Sequence, residues 1–318
     1  MSAALALAER GRGRTAPNPN VGCVIVKQGK VVGRGWTQPG GRPHAEAMAL
    51  AQADASAKGA TIYTTLEPCA HASPRGPDCS GLLIAAQPER VVAAIADPDP
   101  RTNGDGFARL RAAGIAAEEG LLADEARRSM AGFLTRRMLG RPHVTLKLAT
   151  SLDGMIARVD GESQWITGPE SRAHAHLERS RHEAILVGRG TWDVDRPKLD
   201  VRLPGLEDRS PRRLVLSRER YAGTHAGWDW IRSRHDIATL ERVDHLLIEG
   251  GADTAAAFLS PDLVDRLLLY RAPILIGAGK PALGDIGLAS LADAHGRWRL
   301  VDARQLGSDR LEVYERQR

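Results

Sequence analysis

Apolar and polar positions alternate along the first 140 residues between short strand-like runs and helical stretches. Two apolar runs around a Gln-Gly turn predict a hairpin in residues 21–36, VGCVIVKQGKVVGRGW. Strands are also predicted for ATIYTTLEP and RVVAAIADP, and helices for HAEAMALAQADASAKG, CSGLLIAAQPE and GFARLRAAGI. Strands and helices that alternate at this spacing are typical of an α/β domain with a mostly parallel sheet.

A second series of strand-like runs follows a basic segment. That segment, RRSMAGFLTRRMLGRP, is interpreted as the domain boundary, which gives units 1–141 and 142–318. Beyond it, strands are predicted for HVTLKLATSLDG, RRLVLS, DHLLIEGG and DRLLLYRAPILIG, and a helix for TAAAFLSPDLV. The second unit is therefore predicted to be α/β with a mixed sheet, and residues 203–243 are the hardest part to assign.

Composition narrows the class of protein. With 318 residues and 42% hydrophobic content, the chain fits two ordinary globular domains and not a disordered segment. No apolar run approaches the roughly 18 residues of a membrane span, so no membrane partner is expected. The opening MSAALALAERGRGR is interpreted as a first helix, with a signal peptide as the alternative. A cytoplasmic location follows, and there paired cysteines indicate metal binding or catalysis and not a disulfide.

The net charge of +5 lies entirely in the first unit. Residues 1–141 carry 18 Lys and Arg against 13 Asp and Glu, whereas the remainder carries 26 of each. This excess fits either a solubilising surface or an anionic partner, such as a phosphorylated small molecule or a nucleic acid. Aromatic residues make up only 4%, which argues against a stacking platform for single strands, and no nucleic-acid partner is expected.

Three candidate metal ligands stand where separate elements begin or end. His44 and Cys79 each stand at a predicted helix start, and Cys69 follows Pro68 after a strand. A helix start favours the thiolate, and one imidazole with two thiolates leaves a fourth Zn²⁺ position open. Glu46, two residues past His44, could serve there as a proton shuttle. This pattern is typical of zinc deaminases, the alternative being a surface histidine and two buried cysteines.

Several neighbouring residues have simpler interpretations. Cys23 lies in the apolar run VGCVIV and is expected in the core. Glu67 is expected to tie down the loop. His71 is expected to lie in a flexible loop or contact substrate, with a role as metal ligand in place of His44 as the alternative.

Three motifs of the first unit resemble a known family. PNPNVGCVIVK, PHAEAMAL and TLEPCAH look like the deaminase half of the bifunctional deaminase/reductases of riboflavin biosynthesis, the RibD type. This resemblance implies a cytidine-deaminase-like, three-layer α/β fold. The segment SPRGPDC departs from the family pattern, which affects the expected substrate contacts of the loop but not the ligands.

The second unit is similar to the reductase half of the same family. The motifs are LKLATSLDGMIA, GESQWITG, AILVGRGTW and LLIEGGADTAAAFL, and they imply a fold like dihydrofolate reductase. The resemblance also implies NADPH as cofactor. Its cofactor-binding positions are Ala149, Trp165, Thr191, Asp195, Gly251, Ala252, Asp253, Thr254, Ala255, Ala256 and Ala257, and its substrate-binding positions are Ser163, Arg179, Leu199, Arg202 and Glu249.

The residues themselves add three points to this resemblance. The strand HLLIEGG ends in Gly250 and Gly251 before a helix, which offers free N–H groups to an anion or makes an ordinary turn. Lys147 lies on the polar face of its strand and could point into the site. Arg196 stands where the family usually has an acidic residue.

The resemblance implies two successive reactions. The first is zinc-dependent hydrolytic deamination of 2,5-diamino-6-(5-phosphoribosylamino)pyrimidin-4-one. The second is NADPH-dependent reduction of the ribosyl group of 5-amino-6-(5-phosphoribosylamino)uracil to ribityl. A homo-oligomer, with a dimer favoured, is expected. Two alternatives stay open: a nucleoside or tRNA deaminase with an appended non-reductase domain, and a zinc-stabilised scaffold without activity.

Overall fold

The chain divides into two compact units. The computed structural model describes residues 1–71, 73–219 and 226–318. The units are Met1–Gly140 and Arg141–Arg318, and each has its own apolar core. The boundary expected from the sequence, between residues 141 and 142, lies one residue further along. Part of the segment that was hardest to assign, residues 220–225, lies outside the described residues.

The first unit is built on a five-stranded sheet. Its strands are β1 (Gly22–Lys27), β2 (Lys30–Trp36), β3 (Thr61–Thr64), β4 (Arg90–Ala93) and β5 (Ala116–Glu119), and its helices are α1 (Ser2–Ala8), α2 (Ala45–Ala53), α3 (Cys79–Ala86), α4 (Asp105–Ala112), α5 (Ala123–Ser129) and α6 (Ala131–Leu139). The strand order is β2-β1-β3-β4-β5. β1 pairs antiparallel with β2 and β3, and β3, β4 and β5 are parallel. The predicted hairpin is present. The sheet was expected to be mostly parallel but is mixed, with two antiparallel and two parallel pairings, because β1 pairs antiparallel with β3 as well as with β2.

Two glycines show that helices cover both faces of this sheet. A Cβ on Gly22 would lie 1.9 Å from the Ala4 carbonyl oxygen of α1, and one on Gly35 would lie 2.1 Å from the Ala45 oxygen of α2. Gly35 pairs with Cys23, the neighbour of Gly22 on β1. Since adjacent strand residues point to opposite faces, α1 and α2 lie on opposite sides of the sheet. The first unit therefore has three layers.

The second unit is built on an eight-stranded sheet. Its strands are β6 (His143–Thr150), β7 (Met155–Arg158), β8 (Ala184–Gly188), β9 (Arg212–Leu216), β10 (Trp228–Ile231), β11 (His245–Glu249), β12 (Arg266–Arg271), β13 (Gly279–Pro281), β14 (Trp298–Leu306) and β15 (Asp309–Arg316), and its helices are α7 (Pro169–Arg179), α8 (Arg189–Asp195) and α9 (Ala252–Leu259). The strand order is β10-β9-β8-β11-β6-β12-β15-β14, and β7 pairs separately with β13. The sheet is mixed, as predicted.

The parallel strands of this sheet place their carboxyl ends along a single edge. Strands β10, β9, β8, β11, β6 and β12 run parallel. β15 pairs antiparallel with β12, and β14 pairs antiparallel with β15. β8 is buried along its whole length, as expected for a continuous apolar strand covered on both faces. The carboxyl ends of the parallel strands meet at one edge, which is where α/β sheets bind ligands.

Among residues 1–71, 73–219 and 226–318, no helix is both long enough and apolar enough to cross a bilayer.

Candidate functional sites

Three side chains from separate elements of the first unit meet in one cluster. His44 is the residue before α2, Cys79 is the first residue of α3, and Cys69 lies in the loop after β3. Nδ1 of His44 lies 3.2 Å from Sγ of Cys79 and 3.6 Å from Sγ of Cys69. All the potential ligand atoms lie within 4.8 Å of one another. The predicted ligands are therefore adjacent, and we call them the metal cluster.

The geometry of the metal cluster fits Zn²⁺. Two ligands of a tetrahedral zinc ion, one nitrogen and one sulfur, are about 3.5 Å apart at ordinary bond lengths. The observed nitrogen–sulfur distances of 3.2 and 3.6 Å lie on either side of that value. Hydrogen bonds from Cys79 and His44 lower the pKa of the Cys69 thiol to about 4, which favours the thiolate that zinc requires. Three protein ligands leave one tetrahedral position for a water molecule or substrate.

Glu46 lies beside the metal cluster and is almost completely buried. Its exposed fraction is 3%, and it stands in the first turn of α2, two residues after His44. Burial raises the pKa of its carboxyl above the ordinary value. The nearby charge of His44 acts in the other direction and lowers this pKa, but burial has the larger effect. A carboxylate whose pKa is raised is a stronger base, so it takes a proton from a neighbouring water more readily. This is the property that a proton shuttle needs.

The cavity over the metal cluster has a volume of about 250 Å³. His44, Glu46, Cys69 and His71 all line it. Glu67 contributes to its wall, but its carboxylate accepts four backbone N–H groups, those of Asp97, Gly104, Gly106 and Phe107. Glu67 therefore holds the loops in place, as expected. Cys23 is fully buried in the core, also as expected.

Two features of this site were not predicted from the sequence. The side-chain amide of Asn18 lies 2.9 Å from Nε2 of His44, so it orients the ring with Nδ1 toward the thiols. Asp97 and Asp99 line the cavity after β4. Burial raises the pKa of Asp97 to about 6, whereas Asp99 is paired with Arg101 and has a lowered pKa. The only sequence signal was their position directly after a buried strand.

A larger cavity, of about 1370 Å³, opens at the parallel strand edge of the second unit. We call it the strand-edge cavity. It is lined by the residues that end or follow β6, β8, β9, β10 and β11. The predicted site residues that line it are Lys147, Ala149, Ser163, Thr191, Asp195, Glu249, Gly251, Ala252, Asp253, Thr254 and Ala257.

A buried ion cluster lies at one end of the strand-edge cavity. Arg179 donates two hydrogen bonds to the Glu249 carboxylate, at 2.7 and 2.9 Å, and Nζ of Lys147 lies 3.9 Å from it. Burial would raise the pKa of Glu249, but Arg179 and then Lys147 lower it to about 2. Burial also lowers the pKa of Lys147, so this lysine releases its proton more easily than one in water. The cluster brings together a fixed carboxylate and a proton donor.

The remaining predicted residues of the second unit lie outside the cavity lining. Arg202 is half-exposed and contacts Nε2 of His176 at 3.2 Å, and Leu199 is packed in the core. Trp165 is 66% exposed, with Arg172 over its ring. Ala255 and Ala256 are buried on α9, behind the residues that face the cavity, and Arg179 reaches the site through Glu249. Their predicted roles in binding stay predictions.

Comparison with known proteins places this geometry in a family. Residues 1–95 match the sequence model of the cytidine and deoxycytidylate deaminase zinc-binding region, and residues 142–239 and 234–311 match that of the RibD C-terminal domain. The riboflavin biosynthesis protein RibD of Escherichia coli is 40% identical over 355 aligned residues, covering 97% of this chain and 96% of that protein. The chain belongs to the RibD family. The RibD protein of Aquifex aeolicus is 36% identical and covers 99% of this chain and 97% of its own.

Solved structures agree with this assignment along the whole chain. Acinetobacter baumannii RibD has a TM-score of 0.86 at 35% identity and covers 100% of this chain and 98% of its own. A Thermotoga maritima protein described as a diaminohydroxyphosphoribosylaminopyrimidine deaminase/5-amino-6-(5-phosphoribosylamino)uracil reductase has a TM-score of 0.89 at 30% identity, covering 100% and 97%. The predicted fold class, a cytidine-deaminase-like domain followed by a reductase-type α/β domain, is confirmed.

Membership of the RibD family decides between the alternatives left open by the sequence. A deaminase with an unrelated appended domain is excluded, because the second unit matches the RibD C-terminal domain. A scaffold without activity is also excluded, since both units match the domains of a bifunctional riboflavin-biosynthesis enzyme. The first unit contains a zinc-binding deaminase domain, and the metal cluster is its candidate site.

Proposed function

We propose that the chain catalyses two successive steps of riboflavin biosynthesis. The first is hydrolytic deamination of 2,5-diamino-6-(5-phosphoribosylamino)pyrimidin-4-one in the first unit. The second is reduction of the ribosyl group of 5-amino-6-(5-phosphoribosylamino)uracil to ribityl in the second unit, with NADPH. The observation that carries this proposal is that one chain contains both sites. The first unit has the His/Cys/Cys metal cluster beside buried Glu46, and the second has the Lys147–Glu249 pair at the strand edge.

In the first unit the protein residues bind the metal and move a proton. His44, Cys69 and Cys79 hold zinc, which when bound supplies Lewis acidity that lowers the pKa of water. The carboxylate of Glu46 takes the proton of the attacking water and delivers it to the departing ammonia. Its burial supports this role, because the raised pKa makes the Glu46 carboxylate a stronger acceptor for the proton of the attacking water. Asp97 and Asp99 lie in the same cavity and supply acceptors for the pyrimidine.

In the second unit the protein residues position the sugar against the cofactor, which when bound supplies a hydride. Gly250, Gly251 and the first residues of α9 offer N–H groups to the diphosphate of NADPH. Lys147 donates a hydrogen bond to the sugar of the substrate, and Glu249 holds Lys147 and Arg179 in place. Arg202, on the adjoining surface, binds the phosphate of the substrate.

The wider setting is part of the same proposal. A cytoplasmic location is supported by three cysteines that are all free thiols, since thiols stay reduced in the cytosol. We expect a homo-oligomer, with a dimer favoured, from the family resemblance. We expect small-molecule substrates and no nucleic-acid partner.

One coupled assay tests the proposed function. The purified, zinc-loaded protein is given the phosphoribosyl diaminopyrimidinone, first alone and then with NADPH, while ammonia release and NADPH absorbance are followed. We expect ammonia without NADPH, and NADPH oxidation only after deaminated product has formed. Cytidine and tRNA serve as control substrates. Ammonia from the controls but not from the pyrimidinone would refute the assignment, as would deamination without any NADPH oxidation.

A further inference from the structure

Tyr270 is among the largest fully buried side chains of the described residues, and neither proposed reaction uses it. It is 1% exposed and lies on β12. β12 is a neighbour of β6, where Leu268 pairs in register with Lys147 and Tyr270 with Ala149. Because residues two apart in a strand point to the same face, the side chains of Tyr270 and Lys147 lie on one face of the sheet. The buried phenol therefore stands where Lys147 lines the strand-edge cavity.

The ring of Tyr270 faces the ammonium group of Lys147. Nζ of Lys147 lies 5.8 Å from the centre of this ring, within the range of about 6 Å over which an aromatic face attracts a cation. Glu249 also attracts Lys147, but its carboxylate lies 3.9 Å from Nζ, which is too far for a hydrogen bond. Both oxygens of that carboxylate accept from Arg179. The attraction of the ring is therefore a second restraint on the position of Nζ.

The ring of Tyr270 is itself held by a histidine of α7. The hydroxyl group of Tyr270 lies 2.8 Å from Nδ1 of His174. Burial raises the pKa of Tyr270 well above its ordinary value and lowers the pKa of His174, so both groups are neutral at pH 7. The phenol O–H then donates to the imidazole nitrogen. This hydrogen bond fixes the orientation of the ring, with its face toward Lys147.

Lys147 must keep its proton against two unfavourable influences. Burial lowers its pKa, and so does the charge of Arg179, whereas Glu249 raises it. A ring face stabilises the ammonium form and does not stabilise the neutral amine to the same degree. Tyr270 therefore favours the form of Lys147 that can donate a hydrogen bond to the sugar. The other charged groups that face Tyr270 and His174 are Glu178 of α7, Arg181 just after it, Arg266 of β12 and Arg304 of β14.

We propose that Tyr270, held by His174, is a positioning residue for the reduction, because the face of its ring keeps Lys147 charged and in place at the strand-edge cavity. This inference rests on the proposed function, since it takes Lys147 as the group that donates to the sugar of the substrate. Tyr270 also packs in an apolar cluster with Leu268, Leu311 and Val313. A purely structural role in that cluster is the alternative, and it predicts no dependence on the electron density of the ring.

A titration of Lys147 tests this inference without any turnover. The full-length, zinc-loaded protein is labelled with carbon-13 at Cε of its six lysines, and the pKa of each lysine is read from its NMR shift. The Lys147 signal is the one missing from Lys147→Met. Position 270 carries tyrosine, phenylalanine or pentafluorophenylalanine, which have similar shapes, but the fluorinated ring has lost its negative face. Val313→Ala is the matched control, because Val313 lies in the same apolar cluster but on β15, with β12 between it and Lys147.

We expect pentafluorophenylalanine to lower the pKa of Lys147 by about one pH unit and Tyr270→Phe to change it by about 0.3 pH units or less, in line with the attraction between a desolvated cation and a ring. Val313→Ala should leave this pKa unchanged. In turnover of the deaminated substrate, the alkaline limb of the kcat/KM profile should move to lower pH by the same amount, because the protonated lysine is the active form. The KM for NADPH should stay unchanged.

An unaltered Lys147 pKa with the fluorinated ring, or an equal shift in Val313→Ala, would overturn the inference. If the pentafluorinated protein does not fold, 3,5-difluorophenylalanine at position 270 decides by the same criterion, with a shift about half as large. Wild-type and substituted proteins that show the expected pKa values but never oxidise NADPH with the deaminated substrate would refute the proposed function alone.

Discussion

Replacing Glu249 with glutamine removes the one carboxylate that hydrogen-bonds Arg179 and faces Lys147 in the described part of the second unit. The variant keeps the shape of the side chain but leaves two buried cationic groups facing each other. The Lys147 side chain is 21% exposed, and its pKa is already lowered by burial and by the charge of Arg179. The cost of the change should therefore appear in the stability of the second unit.

The magnitude follows from the pKa of Glu249. Its ordinary value of 4.5 falls to about 2 in the folded protein, because the favourable contacts with Arg179 and Lys147 outweigh burial. At 1.36 kcal/mol per pKa unit, this difference corresponds to about 3 kcal/mol. Because the folded pKa lies below the unfolded one, this stability is present above pH 4.5 and is lost as the pH falls through about 2.

Urea unfolding followed by tryptophan fluorescence measures this effect. Five of the six tryptophans lie in the second unit, so the signal reports mainly on it. Glu249→Gln should lower the free energy of unfolding by about 3 kcal/mol at pH 7, and the difference should shrink toward pH 2. Glu162→Gln is the control. Glu162 pairs with Arg158, both side chains are 60% exposed, and such exposed ion pairs contribute at most about 1 kcal/mol to the free energy of unfolding. Equal stability of wild type and Glu249→Gln at pH 7, or a difference that does not shrink in acid, would refute the reasoning.

Three further changes probe the two sites. Cys69→Ser should remove most of the zinc, about one ion per chain, as measured by metal analysis of the purified protein; full zinc retention would contradict the metal cluster. Arg202→Ala should raise the KM for the ribosylaminouracil about tenfold or more, in line with a charged hydrogen bond of roughly 1.5–3 kcal/mol, with a smaller change for NADPH. Arg196→Asp should change the KM values for NADPH and NADH alike, because Arg196 lies over Trp192; a selective loss of NADPH binding would show that it reaches a cofactor phosphate.

Much of the first unit follows from its sequence because its strands are short and strongly patterned. The hairpin is marked by a turn in which Gln28 and Gly29 both have positive φ, and Asp78 caps α3 by accepting the Gly81 N–H at 2.7 Å. Strand β5 was missed because AAEE carries no apolar alternation and lies at the sheet edge, where it is mostly exposed. The segment interpreted as a boundary is largely helix α6, which ends at Gly140 in a left-handed conformation.

The candidate metal ligands could be proposed from sequence because His44 and Cys79 stand at helix starts and Cys69 follows Pro68 in the loop after a strand, where local signals are strong. The second site is less accessible to such reasoning, because its residues converge from strands that are distant in sequence. Lys147 and Glu249 meet only because β6 and β11 are neighbours in register. Tyr270 reaches Lys147 in the same way, because β12 is the neighbour of β6 on its other side.

The central claim, that one chain carries two independent sites, is tested most directly by Glu46→Gln. Glu46 is buried beside the metal cluster but is not a ligand, so the variant should keep its zinc. Ammonia release from the pyrimidinone should fall by at least ~10², the usual loss for a positioned acid–base group. NADPH oxidation, measured with the already deaminated substrate, should be nearly unchanged. Loss of both activities in a folded, zinc-loaded variant would contradict the account.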